Sequence, residues 1–328
     1  MGFSEIAGHQ RQLDTLRLAM ANGRLHHAYL LLGPEGLGKR TVALALAKAI
    51  CCVDSEQDYC GRCVNCMRIT NGNHPDVRLI EPLPDKKEIG IQQIRELQRE
   101  LNYRSFSGKR KIAIIDPATL MNLSAQNALL KTLEEPSADS LIVLITPNTG
   151  GLLPTLRSRC LSLFFAPLSS AQVSAFLESR HGMQADEARL LAAMSMGSIG
   201  AAASLDKDEF IEKRRIWSNM LMSLKAGDYN AAMVAAEALA KNRDEALKFL
   251  KWAESWYRDL LVYSATQRPN ELVNLDMLPQ IDQQATERSV DCILSAFSHT
   301  TDASAGIQRN LNRRMVLEKF LFGVVRGR

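Results

Sequence analysis

The sequence has little that would place the chain in a membrane or outside the cell. Its apolar runs are all shorter than the roughly 18–20 residues that a membrane-spanning helix needs. Its first residues, MGFSEIAGHQ, lack the basic and then apolar segments of a signal peptide, and Ile6 stands where myristoylation needs serine or threonine. We therefore expect a cytoplasmic protein with no membrane partner.

Net charge and aromatic side chains are also scarce, which argues against a chain that binds nucleic acid by itself. Lys and Arg number 40 against 36 Asp and Glu, for a net charge of +4, and aromatic residues make up 6%. The basic excess lies in residues 1–167, which carry 20 basic and 16 acidic residues. Hydrophobic residues at 46% are typical of a globular protein, and 328 residues predict two domains or three small ones.

The seven cysteines form no even set for a disulfide framework, and five of them fall within residues 51–66. Cys51, Cys60, Cys63 and Cys66 have the spacing C-x8-C-x2-C-x2-C. Four thiolates are the ligand set of a closed structural zinc site, so we expect one zinc ion per chain. Cys52 is an alternative first ligand, and an iron–sulfur cluster is an alternative occupant.

The first half of the chain alternates strand-like and helix-like segments, which predicts an α/β domain with a parallel sheet. One predicted helix follows the loop after the first strand and ends at Ile50. Two more cover Ile91–Leu101 and Ser124–Glu135. The predicted strands are Ala28–Leu32, Val77–Ile80, Lys111–Asp116, Leu141–Ile145 and Leu161–Phe165.

The second half of the chain reads as helices. Residues 168–207 hold two short helical patterns around a break at residues 181–182, and residues 208–328 have helical spacing throughout. All three tryptophans lie in this last region, where we expect them to pack in a core. We therefore predict domains at residues 1–167, 168–207 and 208–328.

A phosphate-binding loop follows the first strand. Gly33, Gly36 and Gly38 lie in the segment GPEGLGK, which ends in Lys39 and precedes a helix. Glycines let backbone N–H groups turn around phosphates, the lysine supplies positive charge, and the helix N-terminus adds its dipole. Asp116, at the end of the apolar segment KIAIID, is the expected magnesium partner.

Two features of the predicted phosphate site depart from those of a working ATPase. Arg40 stands where serine or threonine binds magnesium through its hydroxyl, and Thr41 is one residue late. Pro117 follows Asp116, so the carboxylate that orients water is missing as well. We predict no ATP hydrolysis by this chain; an unusual ATPase with displaced groups is the alternative. Whether the loop still binds ATP stays open.

These motifs together resemble those of the bacterial DNA polymerase III clamp loaders, a branch of the AAA+ proteins. The segment HHAYLLLGPEGLGK, the four-cysteine insertion after the loop helix, NALLKTLEEP at residues 127–136 and RSRC at residues 157–160 carry the resemblance. The resemblance is clear over residues 1–205. Over the C-terminal region it extends only to the helical pattern. It implies an AAA+ P-loop domain, a small helical lid and an all-helical collar that joins a ring.

The resemblance also implies residue roles. Arg159 would act in trans as an arginine finger on a neighbouring subunit's ATP, with Ser158 shaping the turn, and Thr146 would sit at a vestigial sensor-1 position. Gly200 stands where motor subunits carry the sensor-2 arginine. Together with Arg40 and Pro117, it points to a stator subunit that has lost hydrolysis.

Such a stator would be an accessory subunit of a DNA-directed DNA polymerase, within a hetero-pentamer. Its partners would be the motor subunits and the delta subunit, and through the assembly the sliding clamp and primer-template DNA. Two alternatives remain: a self-sufficient AAA+ ATPase, and a zinc-stabilised module that binds nucleic acid alone. A basic turn precedes the third strand and faces either DNA phosphates or solvent; it contains Arg104, Lys109, Arg110 and Lys111.

Overall fold

The computed structural model describes residues 2–107, 109–137, 139–195, 197–204, 207–309 and 311–326. The chain forms two compact units. Residues 1–181 and 196–203 make the first unit, and residues 182–195 and 204–328 make the second. The predicted domain boundaries after residues 167 and 207 remain a prediction.

The first unit is built on the parallel sheet that the sequence predicts. The strand order across the sheet is β2-β3-β4-β1-β5, and all neighbouring strands are parallel. Strand β4 is buried along its whole length, and Leu144 on it pairs with Leu30 on one side and Ile115 on the other. In chain order the strands are β1 Ala28–Leu32, β2 Val77–Ile80, β3 Lys111–Ile115, β4 Ser140–Thr146 and β5 Leu161–Phe164.

Helices cover both faces of this sheet, and each face has its own apolar core. One core contains residues of α1, α2 and the cysteine-rich insertion, and the other contains residues of α4, α5 and α6. The helices of this unit are α1 Gln10–Ala21, α2 Lys39–Cys51, α3 Val64–Thr70, α4 Ile91–Leu101, α5 Leu123–Glu134, α6 Pro154–Arg157, α7 Ser170–His181 and α9 Ile199–Ser204. Phe3–Glu5 and Ala118–Leu120 form short 3-10 turns.

Helix α5 shows how local sequence sets the bounds of an element. The side chain of Asn122 caps it by accepting a hydrogen bond from the Ala125 amide at 2.9 Å. Its last residue is Glu134, and Pro136 follows soon after, where a proline is unable to continue a helix. The helix predicted over Ser124–Glu135 is thus confirmed to within one residue at each end.

Three loops begin at the same edge of the sheet. Gly33 follows β1, Asp116 follows β3 and Pro147 follows β4, so all three lie at the carboxyl ends of parallel strands. Ligands of open α/β sheets bind at this edge, where the strand order changes direction. The residues of the predicted phosphate site are therefore gathered at one end of the sheet.

The second unit is helical, and the tryptophans lie in its core as the sequence predicts. Trp252 and Trp256 on α12 are 0% and 2% exposed, and the ring centroids of Trp217 and Trp252 lie 5.8 Å apart. Among the described residues, no helix has the length and apolar content that a membrane span requires. The helices are α8 Ala185–Met194, α10 Lys207–Ser223, α11 Tyr229–Ala240, α12 Arg243–Thr266, α13 Leu278–Glu287, α14 Val290–Gln308 and α15 Arg313–Arg326, with 3-10 turns at Pro269–Glu271 and Leu275–Met277.

Candidate functional site

The phosphate-binding loop has the backbone conformation that its glycines predict. Gly33, Gly36 and Gly38 have φ angles of 154°, 73° and 82°, which residues with a Cβ atom rarely adopt. Lys39 begins helix α2 and is 5% exposed. Its Nζ atom donates hydrogen bonds to the carbonyls of Gly33 and Pro34, each at 2.5 Å. The ammonium group is thus held by the loop itself.

A cavity of about 380 Å³ opens beside this loop, which is large enough for a small molecule. Loop residues and the first turn of α2 line it, and Asp116 contributes a carboxylate. The apolar side chains of Ile6, Phe176 and Ile199 also line the cavity. The lining therefore combines groups that suit phosphate with side chains that suit an apolar group.

Arg40 lies between two carboxylates at the start of helix α2. Its Nη2 atom lies 2.7 Å from the Oε1 atom of Glu81, and its Nε atom lies 3.8 Å from the Oδ2 atom of Asp116. The guanidinium group carries no lone pair for a metal and is itself the cation between two carboxylates. The donor set therefore does not fit a magnesium ion.

Burial changes the acid–base behaviour of the two charged groups deepest in this site. Desolvation lowers the pKa of Lys39, although the charges of Asp116 and Glu35 oppose that change. Desolvation also raises the pKa of Asp116, with the Arg40 charge acting in the opposite direction. Both groups are therefore less stable as ions than they would be in water, because burial removes part of their hydration.

Helix α9 packs directly on the phosphate-binding loop through Gly200. The Gly200 amide donates to the Gly36 carbonyl at 2.9 Å, and a Cβ atom at residue 200 would lie 3.0 Å from the Gly36 Cα atom. The Ser198 hydroxyl donates to the Glu35 carbonyl at 3.3 Å. Residue 200, for which the resemblance predicts the sensor-2 position, is thus a glycine at a close approach of two backbones.

Thr146 ends β4 and is fully buried, and its hydroxyl donates to the Asn148 carbonyl. It is not among the residues that line the cavity beside the phosphate-binding loop. Its predicted sensor-1 role stays a prediction. The hydroxyl serves the turn that follows the strand.

Four cysteine thiols cluster in the insertion after α2, but the first of them differs from the prediction. The Sγ atoms of Cys52, Cys60, Cys63 and Cys66 all lie within 4.8 Å of one another. A tetrahedral zinc–thiolate site with bonds of ~2.3 Å needs sulfurs about 3.8 Å apart, so these four residues fit a zinc ion. The Cys63 amide donates to Cys60 Sγ at 3.2 Å, as is typical around metal-bound sulfur.

The assignment of Cys51 as first ligand is corrected to Cys52, which was the alternative. Cys51 is the last residue of α2 and points into the apolar core against the sheet, where it is fully buried. Cys52 lies just past the helix end in an extended conformation, which directs its sulfur toward the other three. Neighbouring residues on the two sides of a helix end face in different directions.

Arg159 lies after the short helix α6 and is 35% exposed. Its Nη2 atom is 2.6 Å from the Oε1 atom of Glu134, and its Nη1 atom donates to the Thr155 carbonyl at 2.8 Å. Ser158 is exposed and donates to the same carbonyl at 3.0 Å. Cys160, by contrast, is buried and anchors the turn to the sheet core. The Arg159 guanidinium group is thus held at the surface by the Glu134 carboxylate, which is itself exposed to solvent.

Two partners in these sites were not found from the sequence. Glu81 follows β2 and so lies at the carboxyl edge of the sheet, a signal that could have identified it as a partner of Arg40. Glu134 lies in the NALLKTLEEP segment, and nothing in its spacing predicts contact with Arg159. In the basic turn, Lys109 donates to the Cys52 carbonyl, so it also supports the cysteine-rich insertion.

Comparison with known proteins agrees with this geometry. Residues 8–169 match a family model described as DNA polymerase III, delta subunit, and residues 208–325 match its C-terminal counterpart. The DNA polymerase III subunit delta' of Bacillus subtilis is 31% identical over 97% of this chain and 96% of its own. The chain belongs to the delta' family of DNA polymerase III subunits. This membership supports a role as a clamp-loader subunit.

More distant relatives of this chain give weaker support for the family assignment. The delta' subunit of Escherichia coli is 28% identical over 92% of this chain and 90% of its own length. The tau/gamma subunit of Haemophilus influenzae is 29% identical over 85% of this chain but only 42% of its own. Among solved structures, the RuvB Holliday junction branch migration motor of Thermotoga maritima has a TM-score of 0.43 at 18% identity, covering 85% of this chain and 86% of its own. A likeness at that score carries no functional conclusion.

Proposed function

We propose that this delta' family chain is the non-hydrolysing stator of a DNA polymerase III clamp loader and supplies Arg159 to the ATP site of a neighbouring motor subunit. The observation that carries the proposal is the position of Arg40. Its guanidinium group lies between Asp116 and Glu81, so the groups that would bind magnesium already hold a cation. Hydrolysis in P-loop proteins depends on that metal.

The exposed guanidinium of Arg159 supports the second part of the proposal. An arginine finger neutralises charge on the phosphoryl group in the transition state, and it accelerates hydrolysis by ~10³–10⁵-fold in well-studied GTPases. To do so it must reach another subunit, and Arg159 is 35% exposed at the end of a short helix. The Glu134 carboxylate is its partner in the isolated chain and would have to release it.

The proposed assembly is a hetero-pentamer of motor subunits, a delta subunit and this chain, which together place the sliding clamp on primer-template DNA. In it the helices of the second unit would join the collar of the ring. The zinc ion would have a structural role, because four thiolates leave no open coordination position for chemistry.

The test is steady-state ATP hydrolysis, measured for the chain alone with magnesium and primed DNA and then for the assembled loader. We expect no turnover above background from the chain alone. In the loader, Arg159→Ala should lower turnover at the site next to this chain. Arg78→Ala is the matched control, because Arg78 also pairs with an exposed glutamate at 2.8 Å but lies on β2.

Two results would contradict the proposal. Turnover by the isolated chain that Lys39→Ala abolishes would make the protein a self-sufficient ATPase. A loader with Arg159→Ala that hydrolyses ATP as fast as the Arg78→Ala control would remove the finger assignment.

A further inference from the structure

The segment of residues 102–111, which runs from the end of α4 into the first residue of β3, combines basic charge with exposed aromatic rings. It holds four basic residues and no acidic one, so its charge of +4 equals the net charge of the whole chain. Tyr103 and Phe106 are 72% and 80% exposed, more than any other aromatic side chain among the described residues. The four basic residues are Arg104, Lys109, Arg110 and Lys111.

A buried carboxylate fixes the backbone that carries these rings. Asp76 is 2% exposed. Its carboxylate accepts hydrogen bonds from the amides of Phe106 and Ser107, each at 2.7 Å, and from the Ser105 hydroxyl at 3.1 Å. The Ser105 hydroxyl oxygen in turn accepts from the Lys109 amide at 3.1 Å. The Phe106 ring is therefore exposed on a backbone that hydrogen bonds hold in place.

The basic side chains of the segment are not neutralised from within the chain. Among the residues that the structure describes, none of the four forms an ion pair with a carboxylate. The Lys109 Nζ atom donates to a backbone carbonyl, and the Lys111 Nζ atom lies 5.9 Å from the centre of the Tyr103 ring. Glu100, just before the segment, is already paired with Arg78 at 2.8 Å. An anionic partner can therefore neutralise this charge.

We propose that this segment binds single-stranded nucleic acid, with bases stacked on the Phe106 and Tyr103 rings and phosphates paired with Arg104 and Arg110. Single-strand sites that are indifferent to sequence combine a positive surface with aromatic side chains on which bases stack. Both parts are present here within ten residues. The apolar side chains of the segment are all rings and none is aliphatic, which suits the flat faces of bases.

This site goes beyond the proposed role of the chain, in which DNA is a partner of the whole assembly. It needs neither a neighbouring subunit nor Arg159, because rings and charges belong to one segment of one chain. Duplex DNA fits the segment less well, since its bases are stacked on one another and offer no face to a side chain. The isolated chain should therefore prefer a single strand to a duplex.

Fluorescence anisotropy of a labelled oligothymidylate of about 15 nucleotides tests the proposal on the full, zinc-bound chain. We expect saturable binding at low salt, stronger than that of a duplex of the same length. The logarithm of the affinity should fall with the logarithm of salt with a slope of about −2, as for three phosphate contacts on a single strand. Phe106→Ala should weaken binding by at least ~5-fold, whereas Phe106→Tyr, which keeps a ring, should retain it.

Matched variants separate stacking from charge. Phe164→Ala removes an exposed ring on β5, and Arg11→Gln removes an exposed charge on α1; both should bind as the unsubstituted chain does. Arg104→Gln should weaken binding and reduce the size of the salt slope by about 0.7, the value for one phosphate contact. Arg159→Ala should bind normally, so failure of the finger assignment leaves this proposal standing, and the reverse also holds.

Asp76→Asn is a variant for which charge and backbone order predict opposite results. It removes a negative charge beneath a positive segment, so charge alone predicts tighter binding. It also weakens the hydrogen bonds that fix the backbone at Phe106, so a preorganised surface predicts weaker binding. We expect affinity to fall by at least ~2-fold under conditions where thermal unfolding shows that the variant is folded.

Four outcomes would overturn the proposal. One is the absence of binding at low salt up to ~100 µM of the chain. Another is equal binding by Phe106→Ala and Phe164→Ala, which would leave charge as the only contribution. If Phe106→Ala lost assembly with the partner subunits but bound the oligonucleotide normally, the ring would be a protein contact instead. Tighter binding by Asp76→Asn would remove the requirement for a fixed backbone.

Discussion

Arg159 and Glu134 form an ion pair at the surface of the first unit, with 2.6 Å between the Arg159 Nη2 atom and the Glu134 Oε1 atom. The two residues come from different elements, α5 and the turn after α6. A guanidinium group held in this way is kept in one place but is not free to contact a phosphate. Release from Glu134 is therefore part of the step in which Arg159 would act.

Substitution of Glu134 tests that relationship. Glu134→Gln removes the competing charge and should change the free energy of unfolding of the isolated chain by less than about 0.5 kcal/mol, because both side chains are exposed. In the assembled loader we expect ATP turnover at least as high as with the unsubstituted chain. A loss as large as that caused by Arg159→Ala would instead mean that Glu134 positions the arginine in the working state.

The zinc ligands can be distinguished by a pair of neighbouring variants. Cys52→Ser should reduce bound zinc from about one ion per chain to a small fraction, because a closed thiolate site loses one of its four ligands. Cys51→Ala should keep the zinc and cost about 1–2 kcal/mol of stability through lost packing in the core. The zinc content of both variants is measured by plasma mass spectrometry on gel-filtered protein. If Cys52→Ser kept its zinc and Cys51→Ala lost it, Cys51 would be the first ligand after all.

Asp76 should make the loop after α4 sensitive to acid. Its buried carboxylate accepts hydrogen bonds from the amides of Phe106 and Ser107, both at 2.7 Å. Burial acts to raise the pKa of Asp76, but these hydrogen bonds outweigh it and hold the pKa below the ordinary 3.8. A carboxyl group with a lowered pKa stabilises the fold above pH 3.8, and that stabilisation is lost as pH falls through the folded-state pKa.

The measurement is urea unfolding of the unsubstituted chain and of Asp76→Asn from neutral pH to about pH 3. At neutral pH the variant should be less stable by about 2–4 kcal/mol, since hydrogen bonds to a charged group are lost. The difference should shrink in acid, and zinc release at low pH affects both proteins alike. A difference that stays constant with pH would show that the charge of Asp76 is not what holds the loop.

In the second unit, Asp259 should be the acidic residue that matters most for stability. It is 0% exposed and accepts from the Val273 amide at 3.0 Å and from the Asn274 amide at 2.7 Å. Asp259→Ala should lower the free energy of unfolding by about 3–5 kcal/mol, because buried donors lose a charged acceptor. Glu271→Ala, which removes an exposed partner of Arg268, should cost less than about 1 kcal/mol in the same denaturation assay.

The strands were predictable because each is a short apolar run between loop residues, and the structure moves their ends by at most one residue. Helix α9 was not predicted, since its sequence IGAAAS has no apolar periodicity and its position depends on packing against the loop. The spacing of the cysteines was also unable to decide whether Cys51 or Cys52 is the first zinc ligand. The choice depends on which residue ends α2, and helix ends are the least certain part of a sequence-based prediction.

The contact between Gly200 and Gly36 has a consequence for how this chain relates to the motor subunits. An arginine at residue 200 needs a Cβ atom 3.0 Å from the Gly36 backbone, and the backbone at Gly36 has no side-chain rotation with which to make room. Exchanging Arg40, Pro117 and Gly200 for motor residues would therefore also require helix α9 and the loop backbone to separate by a few tenths of an ångström. Substitution of side chains alone would therefore not rebuild a motor-type site, because at this point it is main chain, and not a side chain, that occupies the space beside the loop.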